Sequence, residues 1–158
     1  MSTILIATDG SDPARAAAET GLDLARCLGD RVVFVAVWHP VYTSTFGVPP
    51  TYFGPEILEA ERQWAEEGLE QAEEQARAAG VEAETVLLEG SPAIEICRYA
   101  ADHGVRMIVM GSHGWGAVRS IVSRSTVSGV LAHAPCPVLS GTPVSVTARH
   151  EQEERQPA

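Results

Sequence analysis

Basic residues are few: Lys and Arg together number 11 against 21 Asp and Glu, a formal net charge of −10. That balance argues against a nucleic-acid partner, which needs a basic face to meet phosphates. It leaves a small anionic ligand open. Exposed charges act weakly beyond the ~8 Å screening length of physiological salt, and amides in direct contact outweigh them. Cysteine is scarce too. Cys27, Cys97 and Cys136 have no paired spacing, which argues against a disulfide framework and points to free thiols in a reducing cytoplasm. No apolar run approaches the ~20 residues a membrane helix needs. The start, Met1 to Ala7, has no basic leader before its short apolar run and reads as a first strand, not a signal peptide. The chain has no internal repeat and no low-complexity domain.

What is present is ordinary globular material. The 158 residues are 45% hydrophobic, enough for one domain that buries roughly 68–70% of its unfolded surface. Apolar runs alternate with helical patterns. Strands are expected at Ile4–Thr8, Val32–Val37, Ala83–Leu88, Val105–Met110 and Pro137–Ser140. Within them Ile4–Ala7, Val32–Val37 and Met107–Met110 are continuously apolar, as strands covered on both faces require. The third alternates, with Val81, Ala83, Thr85 and Leu87 against Glu82 and Glu84, and suits an edge. The last opens with Pro135-Cys136-Pro137, and proline confines it to the other edge.

Four helices are expected between the strands. The first starts at Ser11-Asp12-Pro13, a cap followed by a first-turn proline, and stops at Gly29. Its inward stripe is Ala14, Ala17, Ala18, Gly21, Ala25 and Leu28. The second runs from Pro55 to Ala79, with Leu58, Ala65, Leu69, Ala72, Ala76 and Ala79 inward, and ends at Gly80. Its eight glutamates between Glu56 and Glu74 read as a solvated face with weak i,i+4 pairing. The third opens at Ser91-Pro92 and carries Ala93, Ile94, Cys97, Ala100 and Ala101 before Gly104. The fourth starts near Ser123 or Ser125 and buries Val127, Val130, Leu131 and Ala134. His39 to Gly54 reads as a long loop whose aromatics either shield a ligand or another subunit, or tack the loop down. Residues 145–158 read as a mobile polar tail after a domain spanning 1–144.

The order β-α-β-α-β-α-β-α-β implies an open, parallel, doubly wound α/β sheet. Such sheets take ligands at the carboxyl ends of their strands, where the strand order reverses. Two segments qualify. Thr8-Asp9-Gly10-Ser11 follows the first strand, and Gly111-Ser112-His113-Gly114-Trp115-Gly116 follows the fourth. They converge if strands one and four are neighbours. A glycine-rich turn with a hydroxyl-rich helix start beyond it (Ser123, Ser125, Thr126) suits a phosphate, because free N–H groups face the anion.

These residues, in this order, resemble the universal stress protein family. Ile4-Leu5-Ile6-Ala7-Thr8-Asp9-Gly10-Ser11 looks like its first strand and aspartate. Val109-Met110-Gly111-Ser112-His113-Gly114 looks like the head of its ATP-binding signature, and Val130 to Leu139 like its last helix and strand. The resemblance covers about residues 1 to 144. It implies a flavodoxin-like, Rossmann-like five-stranded sheet of order 3-2-1-4-5, a homodimer paired along the C-terminal edge strand (Pro137–Ser140), and a cytoplasmic role in stress tolerance. It implies ATP or ADP as ligand, with Mg²⁺ as an accompanying ion. Asp9 and the main chain of Thr8 and Val37 would surround adenine and ribose. Met110, Gly111, His113 and Gly114 would line the ribose and phosphate turn. Ser125 and Thr126 would meet the phosphates at the fourth helix. Nucleotide-binding members carry glycine, two residues, glycine, nine residues, then glycine followed by Ser or Thr. Here Gly111, Gly114 and Ser125 match, and Arg124 occupies the third glycine position.

Two readings of Arg124 stay open. A left-handed backbone there would cost an L-residue roughly 1–2 kcal/mol. Arginine is also a bidentate phosphate donor, worth about 1.5–3 kcal/mol for a charged hydrogen bond. The expected function is therefore a nucleotide-binding dimeric regulator, with a nucleotide-independent dimeric stress-protection protein as the alternative. An enzyme is not expected beyond slow ATP hydrolysis, since no general base stands beside the phosphate segments. Ser112-His113 is no nucleophile–base pair: adjacent turn residues rarely face each other and no G-x-S-x-G elbow is present. His103, His113 and His133 with Cys97 and Cys136 lack metal-ligand spacing. Asp9 also reads as a simple cap of its own turn. Cys97, Cys136, Trp38 and Trp64 read as packing residues.

Overall fold

The computed structural model describes residues 1–38, 55–112 and 124–141. The expected loop His39–Gly54 and tail 145–158 lie outside the described residues. The elements are β1 (Thr3–Ala7), α1 (Asp12–Leu28), β2 (Arg31–Trp38), α2 (Pro55–Ala78), β3 (Ala83–Glu89), α3 (Pro92–Asp102), β4 (Met107–Gly111), α4 (Arg124–His133) and β5 (Val138–Gly141). The strands form one parallel sheet of order β3-β2-β1-β4-β5. The continuously apolar strands are the three inner ones, and the alternating and proline-led strands are the two edges. Val105 differs from expectation. It is buried but precedes β4, and its N–H donates to the Ala100 carbonyl to close α3.

Two cores flank the sheet. On one face, α1 and α2 pack Ala17, Ala18, Leu22, Leu69, Ala72 and Ala76 against Ile4, Ile6, Val32 and Phe34. On the other, α3 and α4 pack Ile96, Ala100, Val127 and Val130 against Leu5, Val33, Val35, Ile108 and Met110. Alternate residues of each inner strand serve opposite cores, as the period of two requires. The edge strand β3 departs from strict alternation: Ala83 and Leu87 meet the first core, Val86 and Leu88 the second, and Thr85 is exposed.

The local signals hold at α1. Ser11 is extended (φ −72°, ψ 159°), and its hydroxyl accepts from the Ala14 N–H at 3.4 Å. Pro13 sits in the first turn, and Gly29 closes the helix in the left-handed region at φ 67°. Ser11→Ala will lower stability by about 0.5–1 kcal/mol, measured by urea denaturation. The bond is long, which sets the lower part of the usual range.

Four expected core positions are corrected. Leu28 is exposed, while Leu22 is buried. Ile94 is 63% exposed and Leu131 57% exposed. The inward stripe of α3 is Ala93, Ile96, Cys97 and Ala100, a 3-4-7 spacing that excludes position 94. Ala101 is likewise exposed. Glu95 is buried, paired with Arg98, and packed where Gly90 (φ 135°) leaves room: a Cβ on Gly90 would stand 3.0 Å from Glu95 Cγ. The glutamates of α2 are largely solvated, with Arg62–Glu66 and Arg77–Glu73 pairs at 3.0 Å each. No helix among the described residues is long and apolar enough to cross a membrane.

Candidate functional site

β1 and β4 are neighbours, with Ala7 opposite Met110. The two candidate segments therefore leave the sheet side by side at its carboxyl edge, where the strand order reverses. Hydrogen bonds fix the turn after β1. The Thr8 N–H donates to the Val35 carbonyl at 2.9 Å, tying the strand end to β2. Thr8 Oγ1 accepts from the Gly10 N–H at 3.2 Å, and Asp9 Oδ1 accepts from the Ser11 N–H at 3.0 Å. Gly10 takes φ 74°, the left-handed conformation that reverses the chain into α1. Asp9 thus holds its own turn, as one of its two sequence readings required, and stands at the mouth.

Gly111 is fixed by approach and not by φ. A Cβ there would stand 2.8 Å from the Pro13 carbonyl carbon and 2.9 Å from the Ala14 nitrogen. The end of β4 is therefore pressed against the first turn of α1. The Ser112 N–H donates to the Gly141 carbonyl at 3.1 Å, which carries the register on to β5.

A cavity of about 220 Å³ opens beside this turn. The turn after β1 supplies Thr8 and Asp9, β2 supplies Val37, and α2 supplies Trp64, Gly68 and Gln71. Asp9 and Glu67 bring carboxylates to its wall, and no Arg is among the described residues that line it. A larger hollow of about 400 Å³, lined by Arg31, Glu73, Arg77, Glu82 and Glu84, lies at the amino ends of β2 and β3. The smaller one is the better candidate, because doubly wound sheets take ligands at the carboxyl ends.

The expected site residues among the described ones divide into three groups. Thr8, Asp9 and Val37 meet at the cavity. Met110 and Gly111 lie next to them but outside its lining, and the Met110 side chain is fully buried in the α3–α4 core. Only its main chain is available to a ligand. Thr126 is buried in the first turn of α4, and Arg124 and Ser125 open that helix. His113 and Gly114 lie outside the described residues, as do the side chains of Arg124 and Ser125.

The sequence reading missed the contribution of α2. Trp64, read as packing, is 47% exposed at the cavity. The available signal was Gly68, a glycine inside an otherwise strong helix, which marks a close backbone approach. Trp38 does pack against the first core, as expected. Cys97 and Cys136 pack against the second. Burial pushes both thiols up, and Cys136 raises Cys97 further. Both therefore stay protonated and unreactive near neutral pH.

Residues 1–140 match the pattern of the Universal stress protein family. A Thermus aquaticus relative, "Universal stress protein in QAH/OAS sulfhydrylase 3'region", is 38% identical over 88% of this chain and 97% of its own length. Universal stress protein UspA from Lactobacillus plantarum superimposes with a TM-score of 0.70 at 28% identity, covering 88% of this chain and 96% of that one. The universal stress protein from Archaeoglobus fulgidus in complex with dAMP gives 0.63 at 24% identity, over 89% and 96% of the two chains. A universal stress protein in complex with cAMP gives 0.67 at 18% identity, over 90% and 98%. These last two share the fold. With a family match that runs from β1 into β5 and a relative aligned over nearly its whole length, the chain belongs to the universal stress protein family.

Proposed function

We propose that this chain holds an adenine nucleotide, ATP or ADP, as a dimeric regulator in the cytoplasmic stress response. The nucleoside end sits in the cavity beside Asp9, and the phosphates run toward Gly111 and the first turn of α4. The observation that carries this reading is the cavity itself, at the carboxyl ends of β1 and β2. Its volume, about 220 Å³, is below the roughly 300–1,000 Å³ usual for small-molecule sites. It therefore suits part of a nucleotide and not the whole. Its carboxylates accept hydrogen bonds from ribose hydroxyls and repel phosphates. The start of α4 has the opposite character, with about +0.5 elementary charge at the helix terminus. Mg²⁺ would accompany the phosphates there. The structures in complex with dAMP and cAMP support an adenine ligand.

In this reading the nucleotide is held, and hydrolysis is slow if it occurs at all. β5 is an edge strand with an exposed Leu139, a surface that benefits from pairing, so the dimer is proposed along it. Arg124, standing at the third signature glycine, favours a second reading: a nucleotide-independent dimeric protection protein with a lapsed site.

Calorimetric titration with ATP and Mg²⁺ separates the two. Binding at tens of micromolar supports the first, and absence of heat at that concentration supports the second. Arg124→Gly is expected to change the dissociation constant for ATP by more than about threefold, since the side chain either grips or crowds the phosphates. An unchanged constant would mean that position 124 never meets them.

A further inference from the structure

α2 does more at the mouth than cover the sheet. Trp64, Gly68 and Gln71 follow one another at helical spacing and all line the cavity. Gly68 is the seat. A Cβ there would stand 3.1 Å from the Gly10 nitrogen and 3.4 Å from the Asp9 carbonyl carbon. A Cβ there would push the turn that carries Asp9 back by a few tenths of an ångström, so the bare backbone suits this close approach. α2 runs back from the carboxyl edge, since its last turns (Ala76, Arg77) line the hollow at the amino ends of the strands. Trp64 lies about 6 Å of helix rise nearer its start than Gly68, which sets the indole at the outer part of the cavity.

The exposure of Trp64 is out of pattern for its helix. The inward positions around it (Ala65, Leu69, Ala72) are buried and aliphatic, whereas the indole is about half exposed beside a cavity. A flat, polarisable ring at that position is suited to another flat ring.

We infer that Trp64 is a specificity-determining residue of the nucleotide site, stacking the planar base against α2 and favouring purines over the smaller pyrimidines. The inference rests on the nucleotide reading above. It adds a ligand wall from α2 to the walls supplied by the turn after β1 and by β2, and makes base identity a property of this wall.

The test titrates ATP and CTP into wild-type protein, Trp64→Ala and Trp64→Phe, following both heat and tryptophan fluorescence. Wild type is expected to prefer ATP. Trp64→Ala should lose about tenfold in ATP affinity, the scale of one base–aromatic stack, and lose most of the preference over CTP. Trp64→Phe should keep affinity and preference while losing the share of the wild-type fluorescence change that Trp64 contributes, with Trp38 and Trp115 unchanged. The half-exposed position makes either substitution compatible with folding, which the melting temperature checks. Wild-type binding with Trp64→Ala unchanged in affinity and preference would overturn the stacking role alone. Absence of ATP binding by wild type would overturn the nucleotide reading and this inference with it.

Discussion

Arg106→Ala will lower the unfolding free energy by about 3 kcal/mol, far more than an ordinary surface arginine. The reason lies at the amino edge of the sheet. The Asp30 side chain is only 1% exposed. Its Oδ1 accepts from the Ser2 N–H at 2.9 Å. Its Oδ2 lies 2.8 Å from Arg106 Nε, within charge-pairing distance although the N–H is not aimed at it. Arg106 also donates to Ser2 Oγ at 3.1 Å. The pair joins the starts of β1, β2 and β4, beside the main-chain bonds from Arg31 to Ser2 and from Arg106 to Thr3.

Removing Arg106 leaves a buried carboxylate facing no cation among the described residues. The cost of an uncompensated buried charge exceeds the worth of the pair itself. Urea denaturation should show a lower midpoint at unchanged slope. In an Asp30→Asn background the same substitution should cost much less, because no charge remains to strand. A loss below about 1 kcal/mol in the wild-type background would put this pair with ordinary surface ion pairs, to which the half-exposed arginine alone would assign it.

Gly111→Ala will destabilise the protein by about 2–3 kcal/mol, at the upper part of the range for overpacking. The atoms in the way belong to the main chain of Pro13 and Ala14. They cannot swing aside as a side chain would, so the first turn of α1 must lift off β4. That displacement widens the mouth between Asp9 and the strand end. Gly21→Ala is the control. Its Cβ would meet Ile6 Cδ1 at 2.6 Å, but that atom is the tip of a flexible side chain. The alanine also gains up to about 1 kcal/mol of helix propensity. Gly21→Ala should therefore stay within about 1 kcal/mol of wild type. Thermal and urea unfolding of the two variants side by side check the contrast. Equal effects would show that main-chain contact at Gly111 is not what holds α1 to β4.

Much of the fold was legible because its signals are local. The Ser11-Asp12-Pro13 start and the Gly29 stop of α1 act within one turn of chain. The continuously apolar β1, β2 and β4 declare burial on both faces, so they had to be inner strands. The proline-led β5 had to be an edge. Helix phase was less secure. On α3 the eye takes Ile94 for its hydrophobicity, yet the sheet and α4 together select Ile96 and admit Glu95, whose carboxylate Arg98 balances. Leu131 and Leu28 fail for the same reason: an apolar residue is buried only where another element lies opposite it.

The candidate site was half legible. Asp9 and Val37 follow from the rule that strand ends face the ligand. Trp64 does not: Gly68 signals that α2 comes close to some backbone, but nothing local says that the backbone is the turn after β1. Asp30 and Arg106 were also silent, because 76 residues separate two charges that only the β2-β1-β4 arrangement brings together. By itself the sequence determined the element order, the inner and edge strands, and the aspartate and glycine turns at the carboxyl edge. These rest on periodicity and on backbone limits felt within a few residues. Tertiary structure alone decided that α2 closes the cavity with Trp64, that Gly68 and Gly111 are bare for the sake of neighbouring backbone, and that a buried ion pair ties the opposite edge. Each depends on which distant surfaces come into van der Waals contact, and no local pattern encodes that.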